Sequence, residues 1–275
     1  MKGEQSVPQP VFVRSFGQGA RQVLALHCTI AHSGAWRGLA ERMGDEVTLI
    51  TPDMLSHGRS LDWDKQGDFQ DRSVAAVSHL LDDPPEGTVD VIGHSFGATI
   101  ALRLALAYPD RVRSLTMIEP VFFAVALQDD PQSVADHDVG AASYVAAMRA
   151  GDDALAARLF NKMWSEDGTR WSDLPETTRG AMTRSIGVVA ATYPAVYEDH
   201  AGMLAPGVLD RATMPALLLR GSQTHPVVDA VNEGLAQRLP DAQSVVIEGA
   251  GHMLPITHPG ATAAELRRLF QRVPG

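Results

Sequence analysis

The stretch Val89–Ala107, VDVIGHSFGATIALRLALA, joins a strand, a sharp turn and a helix, with Ser95 at the bend. The β-branched Val89, Val91 and Ile92 read as the end of a buried strand. Ala98–Ala107 is a run of strong helix formers, apolar on nearly every side apart from Thr99 and Arg103. The turn between them is Gly-x-Ser-x-Gly. A bend this tight brings the residues two before and two after the serine against neighbouring backbone, so positions 93 and 97 require glycine. Such a nucleophile elbow presents the Ser95 hydroxyl above the sheet, at the positive end of a helix, where an oxygen attacking a carbonyl is favoured.

On either side of the elbow, apolar β-branched runs recur with helical stretches between them: Val11–Phe16, Val23–Leu26, Val47–Ile50, Ser114–Ile118, Ala216–Leu219 and Ser244–Ile247. This alternation predicts an α/β fold with a mostly parallel sheet covered on both faces. The rhythm breaks between about Pro120 and Pro215, where helix-like segments (Ala141–Arg149, Ala154–Trp164, Pro175–Ile186 and Val188–Tyr197) occur without a strand. The expected organisation is a core of residues 1–120 and 211–275 with an inserted helical cap, residues 121–210. The acidic stretch Asp129–Asp138 reads as a solvated, mobile approach to that cap. Large side chains of the insertion, Trp164 and Met148 among them, form either its own small core or the wall of an apolar substrate chamber above Ser95.

A net charge of −10 with no Lys/Arg-rich stretch argues against a nucleic-acid partner. Cys28 is the single cysteine, which excludes an intrachain disulfide and a cysteine-based zinc cluster. The N-terminal MKGEQSVPQP lacks the apolar core of a secretory signal, and no apolar run reaches spanning length, so the expectation is a cytoplasmic protein with no membrane partner. Nothing in the sequence decides between monomer and homodimer.

A serine hydroxyl needs a base to take its proton and a third group to hold that base in the right tautomer. Of the ten histidines, His252 in EGAGHMLPITHP directly follows the last expected strand, at the carboxyl edge where the elbow also lies, and Gly249 and Gly251 let its loop turn inward. Glu119 ends the strand SLTMIEP and points to the same edge. Asp229 is the alternative acid, although it falls at the start of a helix. His252 and His258 are six residues apart across a proline with no carboxylate at ligand spacing, so no metal is expected.

The loop LHCTIAHSGAW after the second strand, PDMLSHGRS after the third, the GHSFG elbow and GAGHMLPITHP occur in this order between about Val11 and Phe270. With them the chain resembles α/β-hydrolase-fold enzymes that carry a helical cap. In that family the acid commonly follows the strand after the cap, in a Gly-x-x-Asp pattern; here the stretch is GSQT, and Thr224 stands where the Asp would be. Some haloalkane dehalogenases of the superfamily carry the acid at the strand before the cap, about as far after the nucleophile as Glu119 is from Ser95. That analogy supports Glu119. Their nucleophile is an aspartate, and Ser95 rules out their chemistry because an alkyl-serine ether would not be hydrolysed.

The resemblance further implies an oxyanion hole from the N–H groups of Phe96 and Thr29, with Cys28 in a place usually held by glycine. It gives Asp53, His57 and Gly58 a bracing role and puts His94 behind the elbow. His225, near the vacant acid position, is a candidate to touch substrate together with Trp164 and Met148. The expected activity is cofactor-free serine hydrolysis of a small or medium carboxylic ester through an acyl-enzyme on Ser95. A lactonase, a C–C bond hydrolase and a perhydrolase would share the triad; a non-catalytic small-molecule receptor on the same fold is the rival from another class.

Overall fold

The seven expected strands all form and join one sheet: β1 (Val13–Phe16), β2 (Arg21–Leu26), β3 (Val47–Pro52), β4 (Val89–His94), β5 (Val112–Ile118), β6 (Ala216–Gly221) and β7 (Ala242–Ile247). The computed structural model describes residues 9–82, 87–165 and 170–273. The sheet order is β1-β3-β2-β4-β5-β6-β7. β1 runs antiparallel to β3, and every other pairing is parallel.

Side chains alternate across this sheet, as a period of two demands. Leu24, Leu26, Leu115 and Leu218 face a core shared with the helices Phe69–Val77, Phe96–Ala107 and Pro226–Arg238. Val23, Ala25, Leu217 and Leu219 face a second core closed by Arg37–Met43 and Pro259–Arg272. With both faces covered, the strands tolerate the continuous apolar runs seen in the sequence. Each wholly buried leucine contributes about 2–3 kcal/mol of transfer free energy.

The elbow has the expected form. β4 ends at His94, Ser95 adopts φ 55° and ψ −119°, and the helix begins at Phe96. A Cβ on Gly93 would lie 2.2 Å from the carbonyl oxygen of Gly97, and one on Gly97 would lie 2.4 Å from that of Leu26. Ser95 occupies the N-cap position, yet its side chain makes no capping hydrogen bond, which leaves the hydroxyl for other partners.

Between β5 and β6, the described residues form the α-helices Phe123–Asp129, Pro131–Arg149, Asp153–Trp164, Glu176–Ser185, Gly187–Ala191 and Tyr193–Val196 and no strand. Two expectations are corrected here. The acidic stretch Asp129–Asp138 is helical on either side of Asp130, which ends one helix and caps the next: its side chain accepts from the Ser133 N–H, Pro131 occupies the first turn, and Val134, His137, Ala141 and Tyr144 are buried at helical spacing. The aspartates are exposed, and Asp138 accepts from the Tyr197 hydroxyl at 2.7 Å. The single helix read over Val188–Tyr197 is split at Thr192, because Pro194 has no N–H to continue the ladder. No helix of the described residues is long and apolar enough to cross a membrane.

Because the Leu26 carbonyl belongs to β2 and cannot retreat, Gly97→Ala is expected to lose about 3 kcal/mol of stability or to misfold. Urea denaturation beside Ser95→Ala checks this; a Gly97→Ala midpoint equal to that of Ser95→Ala would overturn it.

Candidate active site

The carboxyl ends of β4, β5 and β6 and the loop after β7 converge on one edge. Glu119, the residue after β5, is fully buried with φ 51°. Its carboxylate accepts from the Gly221 N–H at 2.6 Å through Oε1, and from the Thr224 hydroxyl through Oε2. The same Oε2 lies 3.1 Å from His252 Nδ1. That contact makes Nδ1 the protonated nitrogen and leaves Nε2 as the basic one. His252 and Ser95 line a common cavity. Asp229 lies elsewhere, paired with Arg220 at 2.7 Å.

His252 is held from two further sides. His94 Nε2–H donates to the His252 carbonyl at 2.8 Å, and the Trp164 ring centroid is 4.2 Å from that of the imidazole. The indole shields one flank of the imidazole from water.

The loop after β2 faces Ser95. Neither the Thr29 N–H nor the Phe96 N–H finds an acceptor among the described residues, and both residues line the large cavity at Ser95. A substrate oxygen between them would meet two donors. Ile30, next along, takes φ 54°, and its N–H donates to His57 Nε2 at 3.0 Å. His57 in turn donates from Nδ1 to the Leu55 carbonyl at 2.8 Å. His27 repeats the pattern, accepting the Met54 N–H at 2.9 Å and donating to the Cys28 carbonyl at 2.7 Å. Asp53 accepts the N–H groups of Ser33 and Arg59 at 2.6 and 2.8 Å.

Burial pulls the pKa of His27 down to about 4 and those of His57 and His94 down to about 3. All three are therefore neutral near pH 7, as their accepting or tautomer-specific bonds require. Burial also pushes the Cys28 thiol up to about 12, so its nucleophilic thiolate is suppressed.

A cavity of about 830 Å³ extends from Ser95 beneath the β5–β6 insertion, with Met148, Phe160 and Trp164 in its wall. His225 lines neither this cavity nor the smaller one; its Nε2 lies 3.0 Å from the Met163 carbonyl and its ring packs against Trp164. No group of three or more metal-ligating side chains occurs among the described residues.

Residues 22–259 match a protein family described as the alpha/beta hydrolase fold. The chain belongs to that family. This α/β-hydrolase is 40% identical over 116 residues to lipase LipV of Mycobacterium tuberculosis, a match that spans 42% of each chain. It is 24% identical over 242 residues to a pimeloyl-[acyl-carrier protein] methyl ester esterase of Nitrosomonas europaea, covering 88% of this chain and 92% of that one. Among solved structures it resembles a hydrolase from Oleispira antarctica, with TM-score 0.72, 20% identity and coverage of 97% and 96%.

Two residues at this hydrolase's candidate site have parts that the sequence reading did not assign. Thr224 was seen only as the residue standing where the acid would be; its hydroxyl donates to the Glu119 carboxylate. His137, hidden among aspartates, is buried at the cavity wall with its ring 4.7 Å from Phe123 and 5.4 Å from Trp164. The spacing of His137 from Val134 and Ala141 was the available signal.

The neutral histidines set a pH dependence of stability. Their folded-state values lie below the ordinary histidine value of about 6.5, so the unfolded chain binds protons that the fold refuses. Their contribution is complete above that value and is lost as pH falls toward the folded values of about 4 and 3. The unfolding free energy from urea titration, and the midpoint with it, is expected to drop between about pH 7.5 and about pH 5.5, the free energy by on the order of 1 kcal/mol per histidine. A midpoint that stays level across that range would contradict neutral, accepting imidazoles.

Proposed function

We propose that the chain is a cofactor-free serine hydrolase of carboxylic esters that works through an acyl-enzyme on Ser95. The observation that carries this reading is the 3.1 Å hydrogen bond from His252 Nδ1 to buried Glu119, at an edge where His252 shares a cavity with an elbow serine. In the proposed reaction His252 Nε2 takes the Ser95 proton as Oγ attacks the ester carbonyl. The N–H groups of Thr29 and Phe96 hold the oxyanion, and Glu119 stabilises the imidazolium and fixes its orientation. His252 then gives its proton to the departing alkoxide. A water attacks the acyl carbon, passes a proton to His252, and the Ser95 oxygen leaves with that proton.

Residues 121–210 act in this proposal as a cap that encloses a small or medium substrate. The ester-cleaving names of two relatives support an ester over the other bonds this triad could attack. A lactone remains within the same chemistry.

Turnover of short carboxylic esters, together with labelling by a fluorophosphonate, tests the reading. Wild type is expected to do both and Ser95→Ala neither; a folded wild type that does neither would favour a receptor. Glu119→Gln is expected to lower kcat by about 10⁴-fold, whereas Asp229→Asn leaves it near the wild-type value. The reverse pattern would move the acid to Asp229. Thr224→Val, which removes one donor from the Glu119 carboxylate, is expected to lower kcat by about ten- to a hundredfold. Thr224→Ser is expected to recover most of that loss, and full activity in Thr224→Val would deny the hydroxyl a part.

A further inference from the structure

Two cavities meet at Ser95. The larger, about 830 Å³, runs beneath the insertion; the smaller, about 40 Å³, lies against the loop Cys28–Ala31. Thr29, Ser95, Phe160 and Trp164 line both, so the Phe160 and Trp164 rings, 6.2 Å apart, form the partition between them. His252 lines the small cavity and not the large one.

An ester carbonyl attacked by Ser95 carries two substituents that diverge from the reacting carbon. One is the acyl chain and the other is the alkoxy group. The C–O bond to the alkoxy group breaks only as its oxygen receives the proton from His252, so that oxygen must lie on the His252 side. Resting on the serine-hydrolase reading above, we infer that the small cavity takes the alkoxy group and the large cavity the acyl chain. The substrates are then esters of a long or bulky carboxylic acid with a one- or two-carbon alcohol.

The sizes fit this division. A single water needs about 10–15 Å³ of cavity, so the small space of about 40 Å³ holds a few waters or a methoxy or ethoxy group. The large space of about 830 Å³ lies within the range for a complete small-molecule ligand. Its wall includes Val121, Phe123, Val145, Met148, Val189 and Val196, which suit a hydrocarbon chain. The second half of the reaction uses the same small space. Once the alcohol has left, a water enters beside His252, where its proton is taken as its oxygen attacks the acyl carbon.

Methyl octanoate and heptyl acetate are isomers that differ only in the side of the carbonyl bearing the long chain, which makes them the test pair. The expected result is a kcat/KM at least about tenfold higher for methyl octanoate, in keeping with the roughly 10–200-fold that one methylene commands in a filled apolar pocket. Equal rates, or a preference for heptyl acetate, would overturn the inference. So would failure to cleave either isomer while Ser95 is still labelled by a fluorophosphonate. Failure of cleavage and labelling together, in folded protein, would instead remove the serine-hydrolase reading itself. Met182 lines the small cavity and not the large one. Met182→Ala is therefore expected to raise the ratio of kcat/KM for butyl octanoate over methyl octanoate by about fivefold or more; an unmoved ratio would take the alkoxy group out of that cavity.

Discussion

A carboxylate with no exposed surface is destabilising unless donors replace the water it has lost, and Glu119 is such a group. Its oxygens meet the Gly221 N–H, the Thr224 hydroxyl and His252 Nδ1. These donors come from the end of β6, the turn beyond it and the loop after β7. They reach one carboxylate because β5, β6 and β7 run parallel and in register, with Ile118 beside Leu219 and Gly221 beside Ile247. The Glu119 N–H continues that register by donating to the Leu219 carbonyl at 2.8 Å. A shift of one residue in β6 would carry Gly221 and Thr224 away from the acid. The sheet register and the orientation of His252 are in this sense one constraint.

Strain gathers where the chemistry is proposed. Ile30, Ser95 and Glu119 all have positive φ, which costs a residue with a side chain about 1–3 kcal/mol. Each is held by specific bonds. The Ser95 N–H donates to the Ile118 carbonyl at 2.9 Å, Glu119 is tied to β6, and Ile30 is tied to His57. Neutral imidazole suits the last task because a single ring accepts on one side and donates on the other. His57 uses this to span from Leu55 to Ile30, and His27 to span from Cys28 to Met54. The loop bearing Thr29 is thus fixed to the loop after β3 by two side chains whose buried positions keep them uncharged.

The strands were legible in the sequence because each fully covered strand must be apolar on both faces, a pattern that survives without knowledge of neighbours. Ser95 and His252 stood out as candidates for a related reason: glycines at 93, 97 and 249 mark places where backbone geometry outweighs side-chain packing. Glu119 was preferred to Asp229 through the resemblance, since charge alone does not separate two carboxylates that both lie beyond β-strands, one directly and one inside the following helix. The difference lies in Arg220, which holds Asp229, and in Thr224, which turns toward Glu119. Local composition misled at Asp129–Asp138. The four aspartates are exposed as expected, but composition gave a mobile approach where the one-face spacing of Val134, His137 and Ala141 carries a helix.

Cavity dimensions belong to a different order of information. Residue types along the insertion suggest an apolar wall, but the division of space at Ser95 depends on where the rings of Phe160 and Trp164 come to rest. Trp164 ends the helix Asp153–Trp164, whose Ala156 and Ala157 pack with Ile30 and Ile186. That packing ties the indole to the same loop that carries Thr29, and the indole in turn touches His252. One aromatic side chain therefore bounds both cavities and flanks the proposed base. In the proposed reaction this side chain links substrate size to proton transfer, since a change in the packing of its helix would move both the cavity wall and the flank of His252.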